Sequence, residues 1–157
     1  MAAVGSPEHQ PPAAELVVPV LVADDEPHIG RIIKTKLEQG PFRVTLVYDG
    51  QEALDALERA AGDPGGDRGG DRGGDAGAFR LLILDLMMPR VSGLDVLERV
   101  RADDRWKRLP CLILTAAGQD HREDDARRRG ADDFMTKPFS PKRLYQRAAA
   151  LSGLEDA

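Results

Sequence analysis

The sequence predicts an α/β domain: a doubly wound, five-stranded parallel sheet with helices on both faces. Three observations carry that prediction. Short aliphatic runs recur along the chain, separated by stretches whose apolar residues fall at helical spacing. Runs such as "LLIL" (81–84) and "CLIL" (111–114) are continuous rather than alternating, which marks strands buried on both faces. Several runs are followed at once by carboxylates, a threonine or a lysine, at the strand ends where such sheets bind ligands.

The elements follow in order. Residues 1–15, "MAAVGSPEHQPPAAE", are rich in proline and alanine without apolar periodicity and read as a disordered extension. The domain is placed at 16–152, with 153–157 as a short tail. Val20 to Ala23 form the first buried run, and Pro27 suits the first turn of the helix after it. Ile29, Ile32, Ile33 and Leu37 line that helix, and Gly40 is expected to stop it. "FRVTLVY" (42–48) alternates, as an edge strand does. Ala53, Leu54, Leu57 and Ala61 mark the second helix. The stretch 62–78, "GDPGGDRGGDRGGDAGA", has nothing to bury against its ordering entropy and reads as a low-complexity insertion. Leu81 to Leu84 form the third strand, and Leu94, Leu97 and Val100 lie on the third helix. "CLIL" is the fourth strand. Residues 118–130 sit in a helical position but lack large apolar side chains, so a short or loosely packed helix is expected. "DDFMT" (132–136) is the last strand, and Leu144, Ala148 and Leu151 share a face of the last helix, which starts at Pro141.

Composition excludes several classes of function. A net charge of −5 gives no reason to expect nucleic-acid binding by this domain. Cys111 is the sole cysteine, so neither an internal disulfide nor a metal–thiolate cluster can form. "LVVPVLVA" (16–23) is too short to span a bilayer, and no basic-then-apolar leader opens the chain. A cytoplasmic protein is the expectation.

The strand ends carry the chemistry. Asp24 and Asp25 follow the first run, Asp85 the third, Thr115 the fourth and Lys137 the fifth. Singly, each has an ordinary explanation: a helix N-cap for Asp24 or Asp25, a strand terminus for Asp85 or Thr115, a solvated surface group for Lys137. Together they place three carboxylates, a hydroxyl and an ammonium at one rim. Clustered carboxylates repel unless a cation joins them, and all-oxygen ligands favour a hard divalent ion such as Mg²⁺. A carboxylate beside such an ion and an ammonium suits phosphoryl acceptance, with aspartate as nucleophile.

"LVADDE", "LILDLMMPRVSGLDVL", "LILTAA" and "GADDFMTKPFS" resemble the signature segments of the receiver domain of two-component response regulators. Thr115 stands 30 residues after Asp85 and Lys137 stands 22 after Thr115, the spacing of that family. The resemblance covers roughly 18–152. It implies a flavodoxin-like sheet of order 2-1-3-4-5, with Asp85 as phosphoacceptor. It implies that Asp25 ligates Mg²⁺ directly, that Asp24 does so directly or through water, and that Met87 adds its backbone carbonyl. Thr115 would bond phosphoryl oxygens, Lys137 would pair with the phosphate, and a cis bond would precede Pro138. Thr115 and Phe134 would form the switch, although Phe134 stands where many receivers have tyrosine and cannot make the hydroxyl contact.

The resemblance also implies partners: a sensor histidine kinase or phosphotransfer protein as donor, and a protein target for the output. The expected output face is the fourth helix, fifth strand and fifth helix, around Arg127 to Arg129, Phe134 and Tyr145. A phosphorylation-dependent homodimer is compatible with it, and no direct contact with nucleic acid or membrane is expected. The chain reads as a stand-alone receiver rather than an enzyme acting on external substrates. Two alternatives stay open: a Mg²⁺-dependent phosphohydrolase with an aspartate nucleophile, and a fragment of a longer regulator. The first generally needs an acid two residues after the nucleophile, where this chain has Met87.

Overall fold

The structure, a computed structural model, describes residues 17–61, 79–116 and 120–154; the readings for 1–15 and 62–78 lie outside these. Strands and helices alternate: β1 (Val18–Ala23), α1 (Pro27–Leu37), β2 (Phe42–Val47), α2 (Gly50–Ala61), β3 (Leu81–Asp85), α3 (Gly93–Ala102), β4 (Cys111–Ala116), α4 (Asp120–Arg128), β5 (Asp133–Lys137) and α5 (Pro141–Leu151). The sheet is parallel throughout and ordered β2-β1-β3-β4-β5. This is the flavodoxin-like order 2-1-3-4-5 that the resemblance implies.

Continuous aliphatic runs make the three middle strands because both faces of each are covered. One face of the sheet sets Leu81, Ile83, Leu112 and Leu114 against Ile33 and Leu37 of α1 and Leu144 and Ala148 of α5. The other sets Leu82, Leu84, Cys111 and Ile113 against Ala53 and Leu57 of α2, Val96, Leu97 and Val100 of α3, and Ala126 of α4. The edge strand β2 alternates in burial, as its sequence does.

Two local expectations need correction, and one alternative falls away. β1 starts at Val18 rather than Val20, although Pro19 has no N–H to give. Its pairing with β3 begins at Val20↔Leu81, so the proline precedes that ladder while its carbonyl accepts the Arg80 N–H at 2.8 Å. Gly40 does not stop α1. The helix ends at Leu37 with Glu38 as C-cap, and Gly40 is small because a Cβ there would collide with the Tyr145 hydroxyl. Neither Asp24 nor Asp25 is the N-cap of α1; Glu26 holds that position, without a side-chain cap bond. The two aspartates are therefore not accounted for by capping.

Candidate phosphoryl and metal site

Parallel strands of similar register bring their carboxyl ends to one rim. Ala23 pairs with Leu84, and Asp85 pairs with Leu114, so the residues just beyond β1, β3 and β4 meet there. Thr115 pairs with Thr136 and Ala116 with Lys137, which adds the end of β5. Asp24, Asp85 and Thr115 are all buried, at 1%, 5% and 1% exposure. Asp25 is exposed. Burying two carboxylates this closely is costly without compensation.

Lys137 supplies part of that compensation. The Lys137–Pro138 peptide is cis, and the Lys137 Nζ lies 2.9 Å from Asp24 Oδ2, 3.1 Å from Asp85 Oδ2 and 3.1 Å from Glu26 Oε1. Burial works against its charge, but Asp24, Asp85 and Glu26 outweigh burial and push its pKa up. Asp85 responds in the opposite sense. Burial first, and then the charge of Asp24, raise its carboxyl from 3.8 to about 7, against the pull of Lys137 and the Met87 N–H. That N–H donates to Asp85 Oδ1 at 3.1 Å, so both Asp85 oxygens are held in place.

The loop after β3 is shaped around this carboxylate. Gly93 opens α3 where a Cβ would meet the Asp85 carbonyl oxygen. Ser92 caps α3 with its hydroxyl accepting from the Asp95 N–H at 3.2 Å. Arg90 takes a left-handed φ of 66°, uncommon for a residue with a side chain, and its guanidinium pairs with Asp49 at the start of α2.

The residues fit a hard cation. One oxygen from each of Asp24, Asp25 and Asp85 can lie within 4.8 Å of the others. Asp24 Oδ2 is fully buried and, although close to the ammonium, has no partner in hydrogen-bonding geometry. A buried acceptor left in this way, within an all-oxygen set, is a suitable ligand for Mg²⁺.

The site thus gathers Asp24, Asp25, Asp85 and Lys137, as the sequence suggested, and adds two residues it did not. Glu26 joins through Lys137, which is 111 positions away in the chain. Glu123 of α4 accepts a hydrogen bond from the Thr115 hydroxyl at 3.3 Å. Glu26 adjoins the aspartate pair, which was a signal available to reading; Glu123 lies in a run of charges with nothing to distinguish it. Phe134 is half-buried, with Arg127 of α4 stacked 4.5 Å from its ring centre. Tyr145 departs from the expected output face. It sits on the other flank of α5, edge-on to Phe42 of β2 at 5.5 Å, because the sheet face carrying α1 and α5 offers apolar cover there.

A family model described as the response regulator receiver domain matches residues 72–149, the segment holding Asp85, Thr115 and Lys137. The chain is 35% identical over 132 residues to the transcriptional regulatory protein TrcR of Mycobacterium tuberculosis, covering 84% of this chain and 44% of that protein. It is 34% identical over 132 residues to the DNA-binding dual master transcriptional regulator RpaA of Synechocystis, covering 84% of this chain and 48% of that protein. The chain therefore spans about half the length of these curated relatives. Among solved structures, a receiver domain from a Francisella response regulator aligns with a TM-score of 0.68 and 29% identity, covering 87% of this chain and 97% of that one.

Proposed function

The chain belongs to the response regulator receiver family, and from that premise we propose that Asp85 is its phosphoacceptor. The observation that carries this reading is the buried Asp85 carboxylate at a strand end, bridged to Asp24 by Lys137. The donor is the phosphohistidine of a sensor kinase or phosphotransfer protein. An Asp85 carboxylate oxygen forms a bond to phosphorus as the phosphorus–nitrogen bond breaks, and the bonding pair leaves with the imidazole. The product is an acyl phosphate.

The site's own residues make that transfer feasible. Lys137 already stands 3.1 Å from Asp85 and pairs with the incoming phosphoryl oxygens. Thr115 turns its hydroxyl toward them. Asp24, Asp25, Asp85 and the Met87 carbonyl would hold Mg²⁺, which would supply charge neutralisation at the phosphoryl oxygens. The Met87 N–H on Oδ1 and the Lys137 ammonium on Oδ2 orient the Asp85 carboxylate for attack. The output is a phosphorylation-dependent change in protein contacts at the face of α4, β5 and α5, around Arg127 to Arg129 and Phe134, in a cytoplasmic signalling protein.

A second reading keeps the same chemistry and changes the output. The named relatives are transcriptional regulators about twice as long as this chain, so the switch would then govern an attached DNA-binding part. An immunoblot of native cells separates the two: a species of 157 residues supports a stand-alone receiver, and a longer one supports the regulator. The common core is tested by phosphoryl uptake from acetyl phosphate. Uptake that requires Mg²⁺ and falls sharply in Asp25→Ala supports the proposal; uptake indifferent to both rejects it.

A further inference from the structure

Helix α4 is fastened to the domain mostly by polar side chains. Within Asp120–Arg128, Ala126 supplies the buried apolar contact. Among the described residues, further attachments are Glu123 to the Thr115 hydroxyl at 3.3 Å, the Arg127 guanidinium 4.5 Å from the Phe134 ring centre and, just past the helix, Arg129 to Glu98 at 3.2 Å. Two of these end on Thr115 and Phe134, the pair assigned to the switch. Thr115 is 1% exposed, so water does not compete for its hydroxyl.

A hydroxyl has one proton to donate. The Thr115 O–H therefore bonds either Glu123 or a phosphoryl oxygen, never both. Moving the hydroxyl to a phosphoryl group on Asp85 leaves the Glu123 carboxylate without that donor, and the N-terminal half of α4 loses a tether. Resting on the phosphoacceptor reading above, we propose that Glu123 is a positioning residue that holds Thr115 away from the phosphoryl site in the unmodified protein. Phosphorylation of Asp85 and tethering of the first turns of α4 are then mutually exclusive. The same bond sets the switch threshold and transmits its state to the proposed output face.

The proposal is tested with beryllofluoride, which mimics a phosphoryl group on a carboxylate. Its affinity is measured by calorimetry in Mg²⁺ for the full chain, Glu123→Ala, Glu123→Gln, Thr115→Ala and the Thr115→Ala/Glu123→Ala double variant. Glu123→Ala is expected to bind about tenfold more tightly, the change that follows from releasing one hydrogen bond to a charged group. Glu123→Gln keeps an acceptor oxygen and should return most of the way to the unmodified chain. In the Thr115→Ala background, Glu123→Ala should change nothing, because the hydroxyl is gone. Amide exchange over α4 in Glu123→Ala without beryllofluoride should already match that of the beryllofluoride-bound parent. Equal affinities of Glu123→Ala and the parent would overturn the proposal, as would the same gain in both Thr115 backgrounds. If the parent itself binds no beryllofluoride, the phosphoacceptor reading falls along with it.

Discussion

Asp85 is where the energetics of the site concentrate. A carboxylate at 5% exposure, next to a second one at 1%, holds its proton far more tightly than a solvated aspartate, at about 7 rather than 3.8. A raised folded-state pKa means that the stability tied to this group is complete below about pH 4 and is lost as pH climbs through about 7. The metal-free protein is therefore under strain from Asp85 at alkaline pH. Asp85→Asn, which removes the charge and keeps the shape, should melt higher than the parent at about pH 8 in chelator. That advantage should fade as the buffer is taken toward about pH 5. A variant melting below its parent at the higher pH would show that the Lys137 ion pairs dominate instead. Cys111 offers a simpler check on the interior. Burial pushes its thiol up to about 12, and its Sγ lies 3.3 Å from the Leu109 carbonyl oxygen. A thiol reagent at about pH 8 should leave the native protein untouched and titrate one group after denaturation. The residues legible in the sequence were those that end apolar runs, because a charge after four aliphatics is conspicuous. Glu26 and Glu123 were not, since each acquires its role from a side chain that the fold brings to it.

At the level of elements, periodicity identified strands and helices well, and the errors have local causes. Gly40 looked like a helix stop because glycine usually is one; its real constraint is Tyr145, more than 100 positions along the chain. Arg101 carries no signal in the sequence, since an arginine in the last turn of a helix reads as a solvated charge. In the structure it fastens the end of the sheet opposite Asp85. Its guanidinium donates to the Leu109 carbonyl at 2.8 Å, the Gly130 carbonyl at 3.0 Å and Asp132 at 2.9 Å. Asp132 also accepts from the Cys111 N–H at 2.8 Å, so the starts of β4 and β5 share one anchor. Arg101→Met withdraws a donor from Asp132 and from the Leu109, Gly130 and Trp106 carbonyls, and should lower stability by about 2–4 kcal/mol in urea unfolding. Phosphoryl uptake by the folded fraction should be unchanged, since the anchor and Asp85 occupy opposite ends of the strands. A loss below about 0.5 kcal/mol would show that water replaces the guanidinium freely.

For the molecule as a whole, the doubly wound order places the chemistry and the helix-to-strand connections at opposite ends. Residues 62–78 fall in sequence between α2 and β3, and β3 begins at Leu81, the end of the strand away from Asp85. Lengthening a connection from about four to 17 residues costs only ~1.2 kcal/mol of closure entropy. Replacing 62–78 with a short turn should therefore leave the melting temperature equal or slightly higher, and the rate of phosphoryl uptake unchanged. A marked fall in either would give that segment a part in the working domain, as a partner-binding tether of alternating Asp and Arg would have. The sheet and the rim are legible because both faces of the middle strands are covered, which makes those strands uniformly apolar; the strand order came with the family resemblance. The hold of α4 on Thr115 and Phe134 was not, because polar attachments leave no periodic trace.

The central claim is that Asp85 becomes an acyl phosphate, and borohydride trapping tests it most directly. The protein is incubated with acetyl phosphate and Mg²⁺, reduced with sodium borohydride, digested and sequenced by mass spectrometry. Reduction converts a phosphorylated aspartate to homoserine. The account predicts homoserine at position 85 and at no other aspartate, and none in Asp85→Asn. Homoserine at Asp24 or Asp25, or phosphoryl incorporation that survives in Asp85→Asn, would contradict it.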